Sequence, residues 1–187
     1  ELHIEQGPVL EAEGYDIGVV DGVCGMINYE FTFTGQADHA GTTPMKYRKD
    51  ALYAAVKAIQ YLHDELDKLD PALVYTTGKI SAHPNIHTII PDEVKFTIDV
   101  RHYNPAVIEQ ALAIIRKMPD EIVGCKVSYA EAWARKSVAY DPLLVDTVEE
   151  SAVTCNYSHM CIHSGPGHDA QYVADILPTS MIFVPSV

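Results

Sequence analysis

Apolar and polar positions alternate most sharply over residues 27–34 (Ile-Asn-Tyr-Glu-Phe-Thr-Phe-Thr), and the β-forming side chains there predict a strand. From Arg48 to Leu69 the period changes. Ala51, Ala55, Ala58, Ile59 and Leu62 fall on one face of a helix, which Pro71 bounds. Residues 73–82 predict a second strand. Residues 93–100 predict a third, with Val94, Phe96, Ile98 and Val100 pointing one way. Asn104-Pro105 opens a helix whose apolar face is Val107, Ile108, Ala111, Leu112 and Ile115. Lys126 to Trp133 predicts a fourth strand.

The order from 27 to about 133 is therefore βαββαβ. Two helices on one face of a four-stranded antiparallel sheet is the ferredoxin-like arrangement. The remainder of the chain has another pattern: a helix over 142–154, a strand over 159–163, a helix over 168–176 and a strand over 179–184. That alternation predicts α/β structure with parallel strands. The chain thus reads as α/β with an inserted α+β domain: residues 1–24 and 136–187 are incomplete segments of one domain, and 25–135 are the insertion. The first residues carry no initiator Met or leader, and the last run is an apolar strand of the kind that feeds a loop carrying chemistry. Both features suggest a piece of a longer enzyme.

Composition narrows the function classes. The net charge of -13, from 13 basic and 26 acidic residues, repels nucleic acid and gives no reason to expect an anionic membrane partner. No run of about 18 uninterrupted apolar residues predicts a membrane span. The four cysteines, Cys24, Cys125, Cys155 and Cys161, form no CxxC pair and are expected to be buried free thiols, as in a cytoplasmic protein.

Three loops concentrate chemistry. In His3-Ile4-Glu5-Gln6-Gly7-Pro8, His3 and Glu5 share one side if the segment is extended, and a neutral imidazole there is a candidate ligand for Zn, Ni, Co or Mn. A structural histidine is the plainer alternative. In Gly35-Gln36-Ala37-Asp38-His39-Ala40-Gly41-Thr42-Thr43-Pro44-Met45, the glycines permit a tight loop. There Asp38 is placed to orient the His39 ring, and Thr42 or Thr43 to cap the next helix. A hydrogen-bonding His39 suits an oxyanion; the alternative is a capped turn with a solvated histidine. In His163-Ser164-Gly165-Pro166-Gly167-His168-Asp169-Ala170-Gln171, backbone amides at a strand-to-helix turn suit an anion such as a substrate carboxylate. Its alternative is an ordinary loop with Asp169 at the helix start. Arg101, in Asp99-Val100-Arg101-His102, fits a carboxylate with two parallel hydrogen bonds, or forms a salt bridge with Asp99. No GxSxG nucleophile motif is present.

Taken in order, ELHIEQGPVLE, GQADHAGTTPM followed by Arg48 and Asp50-Ala51, PN…IIP…DVRH, SGPGHDAQ and MIFVPS resemble the hydantoinase/carbamoylase branch of the zinc aminopeptidase-like amidohydrolases. That branch includes N-carbamoyl-L-amino acid hydrolases, allantoate amidohydrolases and β-ureidopropionases. The resemblance spans essentially the whole chain and implies a site with two divalent ions (Zn, Mn, Co or Ni). His3 matches one histidine ligand; the other ligands, and a Glu-Glu pair that supplies the general base, belong to motifs outside these residues. It implies that residues 25–135 are a lid and dimerisation domain forming a homodimer. It further implies that His39 stabilises the tetrahedral intermediate in the partner's site and that Arg101 clamps the substrate carboxylate. Gly167 and His168 match a loop closing the substrate site, and Gln6 a glutamine beside it. Where the family usually reads Asn-Val-Ile-Pro, this chain has Thr88-Ile89-Ile90-Pro91, so Thr88 takes the place of a carboxylate-binding asparagine. Pro166 stands where relatives often have Ala.

The implied activity is hydrolysis of the C–N bond of N-carbamoyl L-amino acids, allantoate or related ureido substrates. A dipeptidase or aminoacylase of the same superfamily is the alternative. For these residues alone, so is a non-catalytic dimerisation or lid module. With His3 as the single ligand, the 187 residues are expected to bind metal weakly and to show no turnover.

Overall fold

A computed structural model describes residues 1–186. They form two compact units. One comprises Glu1–Gly25, Tyr103–Pro105 and the chain from Lys136 onward; the other comprises Met26–His102 and Ala106–Arg135.

In chain order the first unit begins with strand β1 (Leu2–Ile4), the short helix α1 (Val9–Glu13) and strand β2 (Ile17–Val23). The second unit holds strand β3 (Gly25–Thr34, entering at Met26), a 3-10 turn at Met45–Tyr47, helix α2 (Ala51–Leu66), strands β4 (Val74–His83) and β5 (Glu93–His102), and helix α3 (Pro105–Arg116, entering at Ala106). Strands β6 (Glu121–Ile122) and β7 (Cys125–Arg135) complete it. The chain then returns to the first unit with β8 (Val138–Ala139), α4 (Pro142–Thr154), β9 (His159–Ser164), α5 (Asp169–Val173) and β10 (Met181–Val184).

The second unit is a five-stranded sheet in the order β4-β5-β3-β7-β6. Its core follows the two periodicities read from the sequence. Phe31 and Phe33 of β3 stack on Phe96 of β5, with ring centroids 4.9 and 5.6 Å apart. Ala51, Ala54, Ala55, Ala58, Leu62 and Leu66 of α2, with Ile108, Ala111 and Ile115 of α3, are buried in the same cluster. Small alanines on α2 suit a helix lying close over stacked phenylalanines. Helix α2 starts later than the pattern implies. The Asp50 carboxylate accepts from the Leu52 and Tyr53 N–H groups at 3.0 Å, so Asp50, not Thr42 or Thr43, is the cap. The 3-10 turn takes up the intervening residues.

The first unit is a mixed sheet in the order β1-β10-β2-β8, with β9 also beside β2. β1 pairs parallel with β10 and β2 parallel with β9, but β10 runs antiparallel to β2. This corrects the expectation of parallel strands throughout: α1 is only five residues and brings β2 back against β10 in the opposite sense. Helix α4 is capped by Asp141, which accepts from Leu144 N–H at 3.2 Å, with Pro142 in its first turn.

Among the described residues the cysteines form no disulfide, but only Cys125 is buried; Cys24 is half-buried, and Cys155 and Cys161 are exposed. Cys155 follows the last turn of α4 and Cys161 lies on β9, where alternate side chains face outward, so the expected burial fails for them. Among the described residues no helix is long and apolar enough to cross a membrane.

Candidate functional site

The predicted site residues fall in both units. In the first unit, parallel pairing sets His3 opposite Phe183. His3 Nδ1 lies 2.8 Å from the carbonyl oxygen of Ile4. A carbonyl only accepts, so Nδ1 carries the proton and Nε2 keeps its lone pair. The His168 ring meets His3 edge-on, with centroids 4.7 Å apart, and is only 7% exposed. Burial, and then the neighbouring His3, hold the His168 imidazole below its ordinary pKa, against the pull of Glu1 and Asp169. His168 Nε2 is buried without a hydrogen-bond partner. Glu1 completes the group: one oxygen accepts from Ala170 N–H at 2.9 Å, and the other lies 4.0 Å from His168 Nδ1. Donor atoms of Glu1, His3 and His168 all lie within 4.8 Å of one another. His3 is therefore not solitary.

Glu5 does not join them. Its carboxylate turns back to accept from Val9 N–H at 2.9 Å and Leu10 N–H at 2.8 Å, capping α1, so His3 and Glu5 do not act from one side. Gln6 is exposed in the left-handed region at φ 58°, and its N–H donates to Ser186 Oγ at 2.8 Å. Gly167 is exposed in the turn before α5. In that turn, at the start of the five-residue helix α5, the Ala170 N–H holds the Glu1 carboxylate.

In the second unit, the loop carrying His39 is held on both sides. His39 forms an antiparallel bridge with Ile89; Ala40 N–H donates to Thr88 O at 2.8 Å and Ile90 N–H to Asp38 O at 2.9 Å. A β-carbon on Gly35 would stand 2.1 Å from Lys49 O, so only glycine admits this approach. Arg48 Nε donates to Thr43 O at 3.0 Å and Nη2 to Ala40 O at 2.5 Å, clamping the loop from within. His39 Nδ1 accepts from Gly41 N–H at 3.0 Å. An accepting Nδ1 leaves the proton of the neutral ring on Nε2. The backbone N–H of Gly41 orients the ring. Thr88 is exposed. Arg101, at the end of β5, donates from Nε to Asp99 Oδ1 at 2.6 Å and from Nη2 to Asp99 Oδ2 at 3.4 Å, so its salt bridge with Asp99 is formed.

Sequence reasoning does not single out Glu1 or assign Arg48 a task. Glu1 gains its neighbours from long-range strand pairing, which no local pattern reveals. For Arg48 a signal exists: a lone arginine between a Gly-Thr-Thr-Pro turn and a capped helix has nearby carbonyls to satisfy.

Residues 22–124 match the family described as the peptidase dimerisation domain of M20 enzymes. The chain belongs to this M20 dimerisation family. Its homologues extend the match over its whole length. It is 38% identical to the allantoate amidohydrolase of Escherichia coli over 193 residues, covering 100% of this chain and 46% of that protein. It is likewise 38% identical to the N-carbamoyl-L-amino-acid amidohydrolase of Rhizobium meliloti over 192 residues, with the same coverage. Among solved structures, an amidase of the hydantoinase/carbamoylase family from Burkholderia multivorans is 44% identical, with a TM-score of 0.90 over 99% of this chain and 46% of that one. This M20 chain thus spans about half the length of the relatives it matches, and its homologues are amidohydrolases acting on C–N bonds.

Proposed function

We propose that this chain is part of an amidohydrolase that cleaves the C–N bond of N-carbamoyl L-amino acids, allantoate or a related ureido compound with water. The observation that carries the reading is the state of His39. Gly41 occupies Nδ1, so the ring offers Nε2–H from a loop fixed at several backbone points. When water adds to a ureido carbonyl, negative charge develops on its oxygen, and a fixed N–H donor stabilises that charge more than the starting carbonyl. Arg101, oriented by Asp99, grips the substrate carboxylate. Gln6, Thr88, Gly167 and His168 supply further substrate contacts. The Thr88 hydroxyl is shorter than an asparagine amide and lacks its N–H, which predicts a different carboxylate grip. His3 and its free Nε2 suit a divalent ion of the Zn, Mn, Co or Ni class. Two such ions in the full-length enzyme would supply Lewis-acid polarisation of the scissile carbonyl.

Residues 25–135 are read as a ferredoxin-like lid and dimerisation domain inserted between segments 1–24 and 136–187 of the catalytic domain. The strand order and the family description support that reading. The partner is a second copy, with His39 and Arg101 serving its site. Four cysteines without a disulfide among the described residues fit a cytoplasmic setting. The second unit has its own core, which favours a lid or dimerisation role when these residues are taken alone.

The test is a substrate panel on the full-length protein with divalent metal: N-carbamoyl α-amino acids, N-carbamoyl-β-alanine, allantoate and ureidoglycolate. Release of amine or ammonia from at least one is expected. Dipeptide or N-acyl amino acid turnover with none of the ureido compounds cleaved would overturn the proposal.

A further inference from the structure

We infer that Tyr103 is a positioning residue: through His163 it sets the turn that carries Gly167 and His168. The inference rests on the proposed function for what that turn does, and on contacts within the first unit for how it is held.

Tyr103 opens a short corner, Tyr103–Pro105, that clusters with the first unit although the residues on either side of it belong to the second. Its ring is 44% exposed and stacks on the His163 imidazole, with centroids 4.3 Å apart and planes 25° from parallel. Offset stacking adds attraction beyond the area it buries, so each ring orders the other. Asp21 holds His163 as well. Strands β2 and β9 pair Val20 with Ile162 and Gly22 with His163, so Asp21 is the extra residue of a bulge, a device that re-aims a side chain. Its Oδ1 lies against His163 Nδ1, and its Oδ2 accepts from the Cys161 thiol at 3.4 Å. The Asp21 carbonyl accepts from Tyr140 N–H at 2.9 Å, which secures the bulge.

The turn begins one residue later. Ser164 is fully buried; its carbonyl accepts from Cys24 N–H and its Oγ donates to Pro166 O, both at 2.9 Å. The second bond spans Gly165, and the Pro166 ring fixes its own φ, so a shift of His163 passes along the turn instead of being absorbed in it. At the far end Gln171 is buried; its Nε2–H donates to Lys136 O at 3.5 Å and its backbone N–H to His168 O at 3.1 Å. Cys24, Tyr103 and Lys136 all stand in the first unit beside points where the chain passes to the second. The turn is thus registered to three crossovers. Tyr103 acts there through an exposed side chain, which a substitution removes without opening a core.

Exchange of the Ala170 and Gln171 amide hydrogens, and the ring 15N shifts of His168, are followed by NMR in the 187-residue chain. Tyr103→Ala is expected to speed that exchange about fivefold or more and to move the His168 shifts, with the amides of Phe96 and Ile98 unchanged. Tyr103→Phe, which keeps the stacking ring, should restore both. In the full-length enzyme Tyr103→Ala should raise KM for the ureido substrate about tenfold and leave kcat within about twofold. Tyr103→Leu takes its place if circular dichroism shows the alanine chain unfolded. Unchanged Ala170 and Gln171 exchange with an unchanged His168 spectrum overturns the inference. So does an equal rise in exchange at Phe96 and Ile98, or an unchanged KM in an active full-length enzyme. The expected exchange result, with a full-length protein inactive on every ureido compound, would overturn the proposed function and leave Tyr103 as the residue that sets this turn.

Discussion

Arg48 touches no predicted substrate group, yet two carbonyls of the His39 loop, those of Ala40 and Thr43, converge on its guanidinium. Without it those oxygens lose charge-assisted donors, and the Gly41 N–H that fixes His39 Nδ1 is free to drift. Arg48→Met in the full-length enzyme is therefore expected to lower kcat about 10- to 100-fold, with KM changed far less. It should also move the His39 ring 15N resonances in this chain away from the pattern of a pure Nε2–H tautomer. His39→Ala sets the limit, with kcat reduced about 100- to 1000-fold. An unchanged His39 spectrum in Arg48→Met would remove Arg48 from the positioning of that ring. At this scale the sequence is legible in kind but not in direction. GQADHAGTTPM announces a histidine in a tight loop, but which nitrogen accepts depends on where the Gly41 N–H points, a property of backbone torsions. Glu5 misleads for a similar reason: an acidic residue two places from His3 looks like a partner until the next helix begins and needs its first N–H groups capped.

Elements with a long, clean period are the readable ones. The alternation in β5 and the alanine face of α2 persist over several turns or residue pairs, and they survive into the structure as buried faces. The segment β1-α1-β2 leaves no comparable trace. Each piece is short, and Gly18 and Gly22 interrupt the apolar run of β2. Its sense against β10 is set by tertiary pairing, which a one-dimensional pattern does not encode. The pattern likewise places the start of α2 too early, at Arg48, since the helix begins at Ala51 with Asp50 as its cap. Asp50→Ala is expected to cost about 1 kcal/mol, read as a fall of roughly 2–4 °C in Tm by thermal unfolding. A loss below the error of that measurement would show that the cap contributes little beside the packing of α2.

For the whole molecule, the exposed strand β4 at the edge of its sheet carries Val74 and Ile80 outward, and the outer face of α2 exposes Leu52, Tyr53 and Val56. An unpaired edge with apolar side chains invites a second copy, in keeping with the dimerisation family to which residues 22–124 belong. Light scattering on the 187-residue chain is expected to give twice the 20.6 kDa monomer mass. Replacing Ile80 and Val56 by lysine should shift it to monomer, while a dimer unaffected by both changes would place the interface elsewhere.

The parallel pairing of Leu2 with Ile182 has a kinetic consequence. This contact closes a loop that runs through the entire second unit, so it is among the most remote pairings the chain makes, and the entropy of bringing its ends together falls only when the intervening chain has already contracted. Collapse of residues 26–135 around their own phenylalanine and alanine core thus comes first, and the β1–β10 pairing acts as a late clasp. Because Glu1, His3 and His168 meet only when that clasp is shut, their assembly marks the last step of folding.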